Sequence, residues 1–119
     1  ILKLCEEKIE LKEISEQFME YFAEKMTENG ISLAIGHSDA TSDIALNAFK
    51  KGFNHVTHLY SATTSIRKIN QRICSGILEA AYLNDDMYVE LIGDGRHISE
   101  EQMKLAIKIK SAGCNPAVL

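Results

Sequence analysis

The feature that most restricts the fold is a regular exchange of two periodicities along the chain. Residues 9–29 place Leu11, Ile14, Phe18, Tyr21, Phe22 and Met26 at three- and four-residue steps before Gly30, the pattern of an amphipathic helix closed by a glycine. Residues 31–35 are a short apolar strand. A helix capped at Thr41 then runs through Ile44, Ala45, Ala48 and Phe49 to Gly52. Residues 54–59 form a second strand and 87–92 a third, with a long loop and a short helix near 76–83 between them. "ISEEQMKLAIKIK" closes the series, with Ser99 and Gln102 as a capping box and Met103, Leu105, Ala106 and Ile109 as the buried face. Strands alternating with helices predict an α/β fold with a parallel sheet under helices. No G-x-G-x-x-G follows a strand, which removes support for a dinucleotide fold.

Chemistry-capable side chains stand at the C-terminal ends of all three strands: His37, His58, and Asp94 with His97. A β/α barrel keeps its active site at that end. Each barrel unit takes about 30 residues of a roughly 250-residue fold, so this chain holds about three to four of the eight units. The expectation is a partial (β/α) barrel, a TIM-barrel sector over residues 1–119. Ile1 opens the chain without a methionine and "NPAVL" ends it on a turn into a fresh apolar run, so the chain reads as cut at both ends.

Composition excludes several classes. At 45% hydrophobic and 25% charged residues the chain has a core to bury. A net charge of -4 with one local basic cluster provides no cationic face, so no nucleic acid partner is expected. Cys5, Cys74 and Cys114 are irregularly spaced with no C-x-x-C, which indicates neither a disulfide framework nor a thiolate zinc site. No apolar run approaches the roughly 18 residues of a span, so no membrane is expected and a cytoplasmic location is the default. An open barrel sector exposes strand edges and an apolar face, which predicts a homo-oligomer.

Histidines at the ends of neighbouring strands can converge on one cation, and His37 and His58 meet that condition. Each, alone, has the plain alternative of a hydrogen-bonded structural histidine. His55 precedes His58 by three residues, so alternation predicts that it points to the opposite face, toward the helices. In "GDGRH" two glycines bracket Asp94 and let the backbone approach a ligand, although Asp-Gly is also a common turn pair. "SIRKINQR" sets Arg67, Lys68 and Arg72 in the loop after the second strand, either as a solvated face or as partners for an anion.

"GHSDAT", then "HVTHLYSA", then "YVELIGDGRH" resemble in order and spacing the N-acetylglucosamine-6-phosphate deacetylases of the amidohydrolase superfamily. The resemblance spans residues 31 to about 110, most of this chain but a minor part of a family member. It implies a divalent metal, zinc foremost, bound by His37 and His58. It further implies that His97 contacts the substrate and stabilises the reacting carbonyl, and that Ser61 and Ala62 line the site for a phosphorylated amino sugar. Two departures stand out. Family members carry Asn-Ala where this chain has Ser61-Ala62, and a hydroxyl offers fewer and shorter-reaching hydrogen bonds than an amide. The family's "REPG" reads "NQRICSG" here, which leaves Arg67 and Arg72 both as candidates for the phosphate partner. The upstream glutamate ligand and the proton-transferring aspartate of the family are not found in these residues.

The implied activity of the parent protein is metal-dependent removal of the N-acetyl group, releasing acetate and an amino-sugar phosphate, with the isolated fragment inactive. The rivals are a related amidohydrolase with another N-acyl substrate, and a non-catalytic half-barrel that binds metal or assembles with a partner.

Overall fold

The computed structural model describes residues 8–112 and 117–118, with side chains from Glu16 to Ala112. Cys5, Cys114, the side chains of Leu11 and Ile14, and the Asn115-Pro116 turn lie outside the described residues.

Helix α1 spans Lys8–Glu28. It stops because Gly30 adopts φ 69, a left-handed conformation that suits a residue without a Cβ. The Gly30 N–H then donates to the Thr27 carbonyl at 3.0 Å and the Ile31 N–H to the Met26 carbonyl at 2.9 Å, a Schellman closure. The aromatic stripe that the periodicity lays along one face of α1 is not buried. Phe18 and Tyr21 are 65% and 60% exposed, whereas Ala23 is buried and Met19 packs against the core. Periodicity shows which residues share a helix face, but contact with β1 decides which face is covered.

Strand β1 (Leu33–Ile35) leads to α2 (Ser42–Lys50), which buries Ala45 and Ala48. Thr41 occupies the cap position, yet its hydroxyl bonds the Asp43 carboxylate rather than a backbone N–H. Strand β2 (Phe53–Val56) is shorter than the apolar pattern, because residues 57–62 turn instead of extending. The connection that followed as a loop in the sequence contains a hairpin, β3 (Arg67–Ile69) with β4 (Arg72–Cys74). Asn70 and Gln71 form its two-residue turn at φ 49 and 66, the twist that matches paired strands. Cys74 on β4 is a free, half-buried thiol.

Helix α3 (Ile77–Leu83), strand β5 (Tyr88–Leu91), helix α4 (Glu100–Lys110) and strand β6 (Ala117–Val118) complete the order. The capping box of α4 forms as expected: Ser99 Oγ accepts the Gln102 N–H at 3.2 Å and Gln102 Oε1 accepts the Ser99 N–H at 2.9 Å. Its buried face differs, since Leu105 is 48% exposed while Ala106 and Lys110 are buried. The Lys110 ammonium donates to the carbonyls of Ala81 at 2.9 Å and Asn84 at 2.8 Å, capping the end of α3.

The main sheet has the order β1-β2-β5-β6, and every neighbouring pair in it is parallel. Ile35, Val56, Val89 and Leu91 meet Ala45, Ala48, Ile77, Ala80 and Ala106 in one core, so the helices cover one side of the sheet. The other side carries Ala34, His55, Tyr88 and Glu90, with Tyr88 49% exposed. No helix among the described residues is long and apolar enough to cross a membrane.

Candidate metal and substrate site

Two consecutive loops build the site, one leaving β1 and one leaving the adjacent β2. Gly36 is required between them because a Cβ there would approach the Thr57 methyl to 2.4 Å. The Thr57 N–H donates to the Ile35 carbonyl at 3.0 Å, which continues the pairing just past the strand ends. Beyond this point both backbones turn left-handed, with φ 46 at His37 and φ 33 at His58, and again at Tyr60 and Ala62. Such conformations are unfavourable for residues with a Cβ and gather at functional sites.

These turns bring the two imidazoles together. The ring centroids of His37 and His58 are 4.6 Å apart with planes at 86°. His58 Nδ1 lies 2.9 Å from the Ser61 carbonyl, which only accepts, so Nδ1 carries the hydrogen and Nε2 keeps a free lone pair. Metal-binding histidines are commonly oriented by such a bond from the second nitrogen. The pair therefore fits part of the nitrogen donor set of a divalent cation such as zinc. Among the described residues no group of three His, Cys, Asp or Glu side chains stands together to complete it.

An open cleft of about 410 Å³ lies beside His37, lined by His37, Ser38, Asp39, Ala62, Thr63 and Thr64. Ser61 acts through its backbone: its carbonyl receives His58 and the Thr63 hydroxyl, and its N–H donates to the His58 carbonyl at 2.9 Å. Thr64 fastens the cleft to α3, since its hydroxyl donates to the Ala40 carbonyl at 2.6 Å and accepts the Ile77 N–H at 3.1 Å. Arg67 reaches from β3 to Asp39, with one nitrogen 2.5 Å from the carboxylate and another 2.6 Å from the carbonyl. Arg72 is exposed on β4.

His97 follows β5, the strand on the other side of β2, so all three loops leave the same end of the sheet. Its Nδ1 lies 2.8 Å from one Asp94 oxygen, and the other oxygen accepts the N–H groups of His97 at 3.0 Å and Arg96 at 2.8 Å. These bonds, the His97 N–H foremost, lower the Asp94 pKa from 3.8 to about 2.

His55 corrects the expectation placed on it. It pairs with Ala34 and Tyr88 and lies on the side away from the helices, with Nε2 3.2 Å from Glu90 and Nδ1 2.8 Å from Asn54 Oδ1. Alternation counted back from His58 fails because β2 ends at Val56 and the chain has already turned. Sequence reasoning passed over Glu90, whose signal was visible: it is the one acidic residue inside the apolar run "MYVELI".

No family model matches the chain. Its relatives are nonetheless consistent: the chain is homologous to part of the amino-sugar 6-phosphate deacetylases, a class of enzymes. The particular proteins are N-acetylglucosamine-6-phosphate deacetylases. That of Haemophilus influenzae is 37% identical over 81 residues, 68% of this chain and 20% of the relative. The crystal structure of the Pasteurella multocida enzyme superposes with a TM-score of 0.70 at 30% identity, covering 82% of this chain and 25% of that one. The Thermotoga maritima enzyme gives a TM-score of 0.65 at 32% identity, covering 87% and 26%. The chain thus spans about a fifth to a quarter of the length of the relatives it matches.

Proposed function

We propose that residues 1–119 form a sector of a (β/α)8 barrel in a metal-dependent N-acetylglucosamine-6-phosphate deacetylase. The observation that carries this reading is the convergence of His37 and His58 at 4.6 Å, in the loops that leave two adjacent parallel strands of a chain homologous to such deacetylases. Barrels of this kind place their chemistry at the C-terminal strand ends, where these loops lie.

In this reading His37 and His58 hold a divalent cation, zinc by the nature of its nitrogen donors, with further ligands from outside the described residues. When bound, such an ion polarises a carbonyl and makes water a nucleophile at neutral pH. The chain's own groups do the rest of the work assigned here. The Ser61 carbonyl keeps the His58 hydrogen on Nδ1 and so keeps Nε2 available. Asp94 turns His97 so that its Nε2 is the outward nitrogen. A donor role for that nitrogen toward the acetamide oxygen requires both ring nitrogens to carry hydrogen, with the Asp94 carboxylate as counter-charge. The open cleft receives the sugar beside Ala62, and Arg72 serves the phosphate, since the Arg67 guanidinium is already engaged by Asp39.

The test is acetate release from N-acetylglucosamine-6-phosphate by the full-length protein, before and after chelation. His97→Asn is expected to lower kcat about 10²–10³-fold while metal content holds, the usual effect of losing one transition-state donor. His58→Asn is expected to deplete the metal. Metal lost equally from both variants would contradict the division of roles. Ser61, whose side chain carries a hydroxyl where the family has an amide, favours a second reading with a different N-acyl sugar. That reading prevails if the galacto epimer or another N-acyl sugar phosphate is the faster substrate.

A further inference from the structure

Glu90 occupies a position that neither the cleft nor the core explains. It lies on β5 between Val89 and Leu91, which enter the core, and so projects to the side of the sheet away from the helices. Its carboxylate accepts the Thr57 hydroxyl at 2.6 Å through one oxygen, while the other stands 3.2 Å from His55 Nε2. Its backbone carbonyl also accepts the Leu59 N–H at 2.7 Å. One residue of β5 therefore grips residues 55, 57 and 59, the odd-numbered neighbours of His58.

The opposite side of the same segment is held by the end of β1 and the glycine that follows it. Thr57 donates its N–H to the Ile35 carbonyl, and its methyl closes on Gly36. Between these two attachments His58 holds φ 33, a conformation that residues with a Cβ keep only where their surroundings impose it. Nothing in the His58 side chain's own bond to Ser61 imposes that backbone, because the bond fixes the ring and not the strand exit.

We infer that Glu90 is a positioning residue: through the Thr57 hydroxyl it sets the left-handed exit at His58 and so aims His58 Nε2 at the space shared with His37. The inference rests on the reading of His58 as a metal ligand. Groups that orient a ligand from behind commonly change metal affinity about 10–100-fold when removed.

The experiment titrates zinc into the metal-stripped full-length protein and reads the dissociation constant together with the thermal midpoint of the metal-free form. Thr57→Val keeps the methyl that meets Gly36 and loses only the hydroxyl, whereas Glu90→Leu loses the acceptor for Thr57 together with the contact to His55. Each is expected to weaken zinc binding about tenfold or more. Thr57→Ser and Glu90→Gln retain a donor and an acceptor and are expected to restore affinity to near the parent's. Thr57→Val with Glu90→Leu is expected to be no weaker than the weaker single variant, because the two changes share the Thr57–Glu90 bond. If Glu90→Leu does not fold, the Thr57→Val and Thr57→Ser pair puts the same question. Unchanged zinc affinity in Thr57→Val, with or without a lower thermal midpoint, overturns the inference and leaves the bond structural. His58→Asn separates the two levels. If it binds zinc like the parent, the metal reading and this inference fall together; if it loses zinc while Thr57→Val does not, only the inference falls.

Discussion

At the scale of single residues, several groups of the candidate site are held by partners within the chain. The Ser61 carbonyl orients the His58 ring. Arg67 was a candidate for phosphate and is occupied with Asp39. Asp94 shows the same economy, accepting three hydrogens and shaping the loop that presents His97. Its pKa, lowered to about 2, gives a sign and a window. A carboxyl with a folded pKa below its unfolded value of about 3.9 stabilises the folded loop above that pH and loses the contribution as pH falls through the folded value. Amide exchange at Arg96 and His97, corrected for intrinsic rates, should therefore accelerate between about pH 4 and pH 2, and Asp94→Asn should flatten the dependence. Equal protection at both ends of that range would contradict the role given to Asp94.

At the scale of elements, local chemistry explains boundaries better than it explains faces. Gly30 and the Ser99–Gln102 box fixed helix ends because caps involve only near neighbours in sequence. The hairpin β3–β4 escaped notice because its turn carries Asn70-Gln71 rather than Asn-Gly, although both residues take positive φ. Glutamine lacks the tolerance of glycine for that conformation, which costs an L-residue about 1–2 kcal/mol. Gln71→Gly should consequently stabilise the full-length protein by about 0.5–1 kcal/mol, net of the extra unfolded-state freedom of glycine. Denaturant midpoints that stay equal or fall would argue that residues 67–74 do not hold this turn in solution.

At the scale of the whole molecule, the sheet is the unusual feature. Parallel sheets occur almost always with both faces covered, yet here the helices cover one side and Tyr88 stands half exposed on the other. Exposed Phe18 and Tyr21 extend the same imbalance to α1. The isolated 119-residue chain should accordingly self-associate, and light scattering over a dilution series is the check. A stable monomer at low concentration would show that the bare side is tolerated.

The sequence by itself determined the alternation of β1, β2 and β5 with their helices, the places where helices start and stop, and the loops that carry His37, His58 and His97. Those features depend on periodicity and capping, which act over a few residues. Only the tertiary structure decided that the His37 and His58 rings meet, that Glu90 reaches Thr57 and His55, that Lys110 is buried under α3, and that the aromatic stripe of α1 stays exposed. Each of these joins residues distant in the chain, or depends on which face a neighbour covers. The left-handed exit at His58 belongs to the second group too, because a conformation unfavourable to the residue itself is set by the strands on either side of it.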